Sequence, residues 1–250
     1  MLKILGETHP GRVRPMNQDA FACDTFGENC GYAVVCDGMG GEKAGDVASK
    51  TTCNMIAGFL ARDLREDMSE SGVKAVLFTA ISAANAKVHA MARDNREYFG
   101  MGTTLVAAVI IKDALHVVSI GDSRLYLIDK DQAVQITRDH TIVQNMVDRG
   151  EITAQQALIH PKRHLITRAV GVSDTLDIDY QMFEMKPEYR LLLCTDGLSN
   201  YARPEKLAEL VNESVTDNTT RHLVDYANKQ GGSDNVTAVV MFCTGAVPGR

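Results

Sequence analysis

Apolar residues recur along this chain in two rhythms. Residues 32–36, 100–111, 115–120, 191–194 and 236–242 are short runs of β-forming side chains and read as buried strands. Residues 2–8, 20–23, 124–129, 133–136 and 178–183 give further strands. Residues 42–64 instead repeat Val47, Thr51, Met55 and Phe59 at helical spacing. Residues 71–93 carry a continuous stripe of Val73, Val76, Leu77, Ala80, Ile81, Ala84, Val88 and Met91. Two more helices are predicted over 204–212 and 219–229, the second capped by Asn218 or Thr219 and stopped by Gly231-Gly232. Tight connections at Lys112-Asp113 and Lys130-Asp131 join the central strands into an antiparallel meander, with no alternating βαβ units. Residues 137–170 break the strand pattern with short helical pieces at 142–149 and 153–158 and read as a flap. The pattern predicts one α+β domain over residues 1–250. Two antiparallel sheets face each other with helices outside, a flap at about 140–170 and a frayed tail at 244–250.

The ends of the apolar runs carry the chemistry. The run 32–36 stops at Asp37-Gly38-Met39-Gly40-Gly41, and the run 191–194 at Thr195-Asp196-Gly197. The run 115–120 stops at Gly121-Asp122-Ser123, and Ser233-Asp234-Asn235 leads into the last strand. Any one Asp-Gly pair is first of all a turn. Four acids at strand ends are a stronger signal, because if they converge their like charges repel unless cations lie between them. Oxygen ligands without supporting His or Cys suit Mg²⁺ or Mn²⁺. Asp19 opens another strand, and Arg14 lies five residues before it. Arg14 is either an ion-pair partner or a fork for a phosphate. His140, His160 and His164 fall in the flap and are read as surface or local hydrogen-bonding residues ahead of metal ligands.

Composition narrows the setting. The net charge is −6 over 250 residues, so bulk attraction to nucleic acid or an anionic membrane is not expected. The six cysteines form no CxxC pair and are read as free, mostly buried thiols in a reducing cytosol. No signal peptide or run approaching a transmembrane helix is read from the sequence, which predicts a cytoplasmic protein.

Taken in order, Arg14-x-x-Asn17-Gln18-Asp19, Asp37-Gly38-Met39-Gly40-Gly41, Gly102-Thr103-Thr104, Gly121-Asp122-Ser123-Arg124, Thr195-Asp196-Gly197-Leu198 and Ser233-Asp234-Asn235 cover nearly the whole chain. This series resembles the PPM (type 2C) family of metal-dependent serine/threonine protein phosphatases in its compact bacterial form. The resemblance implies an α-β-β-α sandwich and hydrolysis of phosphoserine and phosphothreonine on proteins. The implied mechanism is direct attack by a hydroxide bridging two Mn²⁺ or Mg²⁺ ions. Asp37 would bridge the ions with the carbonyl of Gly38 on one of them, and Asp196 and Asp234 would hold the other. Asp19 would orient a water bound there, and Asp122 would join Asp196 at a weaker third ion. Arg14 would grip the substrate phosphate, and the flap would help choose substrates. Implied partners are phosphoproteins and the serine/threonine kinase whose work is reversed; a monomer is the default expectation for a single domain, with the oligomeric state left open.

The chain also departs from the pattern. Gln18 stands where many members have Glu, Met39 where animal members have a His proposed as general acid, and Glu42 where bacterial members commonly have His. Leaving-group protonation would then fall to water. A non-catalytic phosphoprotein- or metal-sensing module would be expected to have lost a metal acid, yet Asp37, Asp196 and Asp234 are all present. A phosphatase acting on a sigma-factor regulator would usually carry a sensor domain.

Overall fold

The computed structural model describes residues 1–130, 132–213 and 218–243, with the side chains of Glu42 and Lys43 set aside. The Lys130-Asp131 turn, the tail at 244–250 and the role of the Glu42 side chain therefore lie outside the described residues.

Two antiparallel sheets form the middle of the molecule. One runs in the order β1 (Leu2–His9), β11 (Val236–Cys243), β10 (Arg190–Cys194), β7 (Arg124–Asp129), β8 (Gln132–Gln135). The other runs β2 (Asp19–Thr25), β3 (Cys30–Met39), β5 (Leu105–Ile111), β6 (Ala114–Ile120), β9 (Asp179–Glu184), with β4 (Gly102–Thr103) added to the end of β3. The apolar runs are continuous because the central strands are covered on both faces. Along β3, Ala33 and Val35 face the other sheet, while Val34 and Cys36 pack under helices α1 (Gly41–Asp63) and α2 (Glu70–Asp94). Along β11, Val239 and Met241 enter the space between the sheets. Ala238, Val240 and Phe242 lie under α6 (Pro204–Glu213) and α7 (Thr219–Lys229). Burying each such Val, Leu or Phe contributes roughly 1.5–3 kcal/mol. The result is four layers: two helices, two sheets, two helices.

The expected meander is split. Hairpin β5–β6 lies in one sheet and hairpin β7–β8 in the other, so the chain changes sheets across Gly121-Asp122-Ser123. The 100–111 run is also broken, at Thr104, into β4 and β5. The flap holds α3 (Ile142–Asp148) and α4 (Ala154–Leu158), the latter with a capping box between Thr153 and Gln156. One helix absent from the sequence reading, α5 (Asp196–Ser199), begins on the predicted site residue Asp196. Asn218 makes no side-chain cap on α7, although Gly231 and Gly232 do follow its end at positive φ. α2 is, contrary to expectation, long and apolar enough by length and composition to cross a membrane, with a mean hydropathy of 1.2. Its stripe from Val73 to Val88 is nevertheless buried in the core. All six cysteines are free; Cys30, Cys36, Cys53 and Cys194 are buried.

Candidate active site

The acids gather at one end of the sandwich, where the two sheets meet. Asp19, the first residue of β2, stands opposite Asp37 in the β2–β3 register. Asp122 sits at the crossing between sheets, Asp196 on the first turn after β10, and Asp234 two residues before β11. Asp37 lies two residues inside the end of β3 and is not at its tip. Asp37, Gly38, Asp122, Asp196, Asp234 and Arg14 all line one cavity of about 1020 Å³, with Gln18 and Met39. Arg163, His164 and Ile166 form its flap side. Asp19 is behind the wall, 4% exposed.

Each acid is braced by residues distant in sequence. The Asp37 carbonyl accepts from Thr103 Oγ1 at 2.8 Å and from the Thr104 N–H at 2.9 Å, and the Asp37 N–H donates to Thr104 Oγ1 at 3.0 Å. Gly102-Thr103-Thr104 is therefore the splint of the central acid. Asn17 Nδ2 donates to Thr8 Oγ1, Thr8 Oγ1 to Thr237 Oγ1, and Thr237 Oγ1 to Asp19 Oδ2, at 2.8, 2.7 and 2.7 Å. Thr195, at the start of α5, gives its hydroxyl to the same Asp19 oxygen at 2.9 Å and does not cap its own helix. Asn235 clasps the Arg14 loop: its Oδ1 accepts from the Gln18 N–H at 2.8 Å and its Nδ2 donates to the Pro10 and Met16 carbonyls at 2.9 Å. Arg14 Nη2 donates to Asp234 Oδ2 at 2.8 Å. Its guanidinium remains half exposed at 51%. Gln18 Nε2 donates to the Gly41 carbonyl at 2.6 Å, a bond that a glutamate could not make. His164 Nδ1 is 3.9 Å from Asp196 Oδ2. His140, expected at the surface or in local hydrogen bonds, is instead buried at 1% exposure and bonded through its ring to Gly121 and Asp179, both distant in sequence.

The electrostatics are those of crowded acids. Burial, then the charges of Asp19, Asp196, Asp122 and Asp234, push the Asp37 carboxyl well above its ordinary range. Burial raises Asp19 to about 7 against the hydrogen bonds from Thr237 and Thr195. Burial and then Asp196 and Asp139 raise Asp122 to about 7. Asp196 is raised by burial and then by Asp234.

A divalent cation fits this donor set. All the donors are oxygen, and Asp19 Oδ1 is buried without a partner. Among the described residues no three His, Cys, Asp or Glu side chains close on a single point. Carboxylates set around open volume suit Mg²⁺ and its like, which keep several waters and take one or two carboxylates. A pH dependence follows. Between about pH 4 and pH 7 the folded chain holds protons on Asp19 and Asp122 that the unfolded chain has already released. In chelator the melting temperature is therefore expected to fall as pH rises through that window, and Mn²⁺ to remove most of the fall. A melting temperature that climbs with pH in chelator contradicts this account.

Residues 6–240 match the protein phosphatase 2C family. The chain belongs to that family. It is 30% identical over 235 residues to the serine/threonine phosphatase stp of Listeria innocua, covering 94% of this chain and 93% of that one. It is 35% identical over 240 residues to the serine/threonine protein phosphatase PstP of Mycobacterium tuberculosis, covering 96% of this chain and 45% of PstP. Among solved structures, Stp1 from Staphylococcus aureus superposes with a TM-score of 0.91 at 32% identity, over 98% of this chain and 96% of that one. The catalytic domain of PstP in complex with two manganese ions gives 0.82 at 32% identity, over 96% and 97%. This protein phosphatase 2C member is accordingly a protein serine/threonine phosphatase of a metal-dependent family, with phosphoproteins as substrates. Within the family's sandwich, the Thr103–Thr104 splint and the Asn235 clasp belong to motifs visible in the sequence, but their roles come from contacts made across the fold.

Proposed function

We propose that this phosphatase hydrolyses phosphoserine and phosphothreonine by direct attack of hydroxide on phosphorus, with no phosphoenzyme. Two Mn²⁺ or Mg²⁺ ions would be held by Asp37, the Gly38 carbonyl, Asp196 and Asp234, and a weaker third by Asp122 with Asp196. The observation that carries this reading is the convergence of these acids and Arg14 on one open cavity. When bound, the cations supply hydroxide near neutral pH and neutralise charge on the phosphate oxygens. The chain's own residues do the rest. Asp19 Oδ1, buried and unpartnered, takes a hydrogen bond from a water and orients it. Arg14 moves between Asp234 and the substrate phosphate, offering a planar fork to two oxygens. Met39 has no proton to give, so the leaving oxygen is protonated by water. Leu158 and Ile159, exposed on the flap a few residues before cavity-lining Arg163 and His164 in sequence, would offer a surface for the substrate polypeptide.

The reading extends to a single catalytic domain over residues 1–250, acting as a monomer in the cytoplasm against the targets of a serine/threonine kinase. The test is hydrolysis of p-nitrophenyl phosphate and a phosphothreonine peptide in EDTA, Mg²⁺ and Mn²⁺. Turnover of both only with metal supports it, and a folded protein inactive in every metal overturns it. Arg14→Ala is expected to raise KM about tenfold with kcat within about threefold, because the contact is made in the ground state as well as in the transition state. An unchanged KM removes Arg14 from the phosphate.

A further inference from the structure

One buried histidine joins the flap to the acid cluster. The His140 N–H donates to the Gly121 carbonyl at 2.9 Å, and its carbonyl accepts from the Thr167 N–H at 2.7 Å. The Gly121 N–H in turn donates to His140 Nδ1 at 3.0 Å. A backbone N–H can only donate, so Nδ1 is bare and the neutral ring carries its hydrogen on Nε2. That nitrogen donates to Asp179 Oδ2 at 3.0 Å. Arg168 Nη1 donates to the other oxygen of the same carboxylate at 2.7 Å. Its 3.2 Å approach to Nε2 sets two donors side by side over one carboxylate, each on its own oxygen. Burial, with Arg168 and Arg138 nearby, keeps the ring below its usual pKa despite Asp179, which agrees with a neutral imidazole.

The segments tied by this ring are far apart in the chain. Gly121 precedes Asp122 at the sheet crossing, His140 stands at the outgoing root of the flap, and Thr167 and Arg168 lie in its returning root. The two roots are also bridged at Thr141 and Ile166. Asp179 begins β9 and is 35% exposed.

We propose that His140 is a positioning residue whose two ring nitrogens have separate tasks. Nδ1 fixes the turn that carries Asp122. Nε2, through Asp179 and Arg168, fixes the flap against that turn. The kinetic part of the test rests on the phosphatase reading, while the proteolytic part does not.

Two amides divide the ring. In His140→Asn the amide oxygen replaces Nδ1 as acceptor for Gly121 and does not reach Asp179. In His140→Gln the amide nitrogen reaches Asp179 and leaves the Gly121 N–H without its ring acceptor. Asp179→Ala removes the flap link at a position that is only partly buried. On the full chain, Asp179→Ala and His140→Asn are expected to speed tryptic cleavage after Lys162 and Arg163 about tenfold. They should raise KM for a phosphothreonine peptide about fivefold, with p-nitrophenyl phosphate turnover within about twofold. His140→Gln is expected to do the reverse: cleavage near wild type, and p-nitrophenyl phosphate kcat lowered about tenfold. Two results overturn the proposal. One is an Asp179→Ala protein with wild-type cleavage and peptide KM. The other is a pair of His140 variants that lose both properties in equal proportion, which is what a merely structural histidine gives. Wild type inactive on p-nitrophenyl phosphate, but with faster cleavage in Asp179→Ala, would sink the catalytic reading and leave the flap link standing.

Discussion

Asp37→Asn is expected to lower turnover by at least about a thousandfold while leaving the fold in place. The side chain is central to the cluster: Asp19, Asp196, Asp122 and Asp234 all act on its charge. An amide of the same shape keeps the backbone bonds to Thr103 and Thr104 but cannot supply a carboxylate to a cation. It also removes one negative charge from a crowded set, so in chelator the variant should melt at or above the wild-type temperature. The stabilisation by Mn²⁺, which for the wild type grows with the logarithm of metal concentration, should largely vanish. Paired melts with and without Mn²⁺, beside a turnover assay, decide the matter. Retained turnover, or a steep drop in the chelator melt, would count against the convergence of charge on Asp37.

Gly38→Ala is expected to be equally damaging by a different route. A Cβ there would collide with the Gly45 carbonyl oxygen in the first turns of α1 and come within 2.7 Å of the Gln18 carbonyl oxygen. Both obstacles are backbone, and the Gly38 N–H already donates to that Gln18 carbonyl at 3.0 Å. The end of β3 must move away from α1 or from the Arg14 loop, and Asp37 moves with it. The expected cost is about 3 kcal/mol or more, with activity lost even in saturating Mn²⁺. Gly58→Ala is the control. That glycine is inside α1 with open space around its Cβ position, and the change should stabilise by about 0.5–1 kcal/mol. A Gly38→Ala protein that melts and turns over like wild type would refute the close approach.

Much of this architecture is legible in the sequence. The central strands are sandwiched between a sheet and a helix layer, so nearly every residue in them is apolar and the runs are conspicuous. The acids stand out because they end those runs. What stayed hidden depends on partners distant in sequence. Gly121-Asp122-Ser123 looks like another hairpin turn, and only the β7–β10 pairing reveals the change of sheet. His140 sits in a polar stretch with nothing local to bury it; its cover comes from Gly121 and Asp179. Asn235 and Thr104 carry no charge pattern, and their brace and clasp roles exist only once β3 meets β4 and the last strand meets the Arg14 loop. Helix α5 has a single turn, too short for a 3.6-residue period to register.

The strand order has a consequence for how the enzyme comes into being. β11 lies between β1 and β10, with Leu2 opposite Cys243. β1 therefore takes its place in the sheet only when β11, distant from it in sequence, is there to pair with it. Asp234 lies two residues before β11, so insertion of that strand also brings Asp234 to the cavity it shares with Asp37 and Asp196. Closure over so long a loop is slow compared with local hairpins. With Asp234 in its proposed role as a cation ligand, the onset of activity then becomes a clock for insertion of β11.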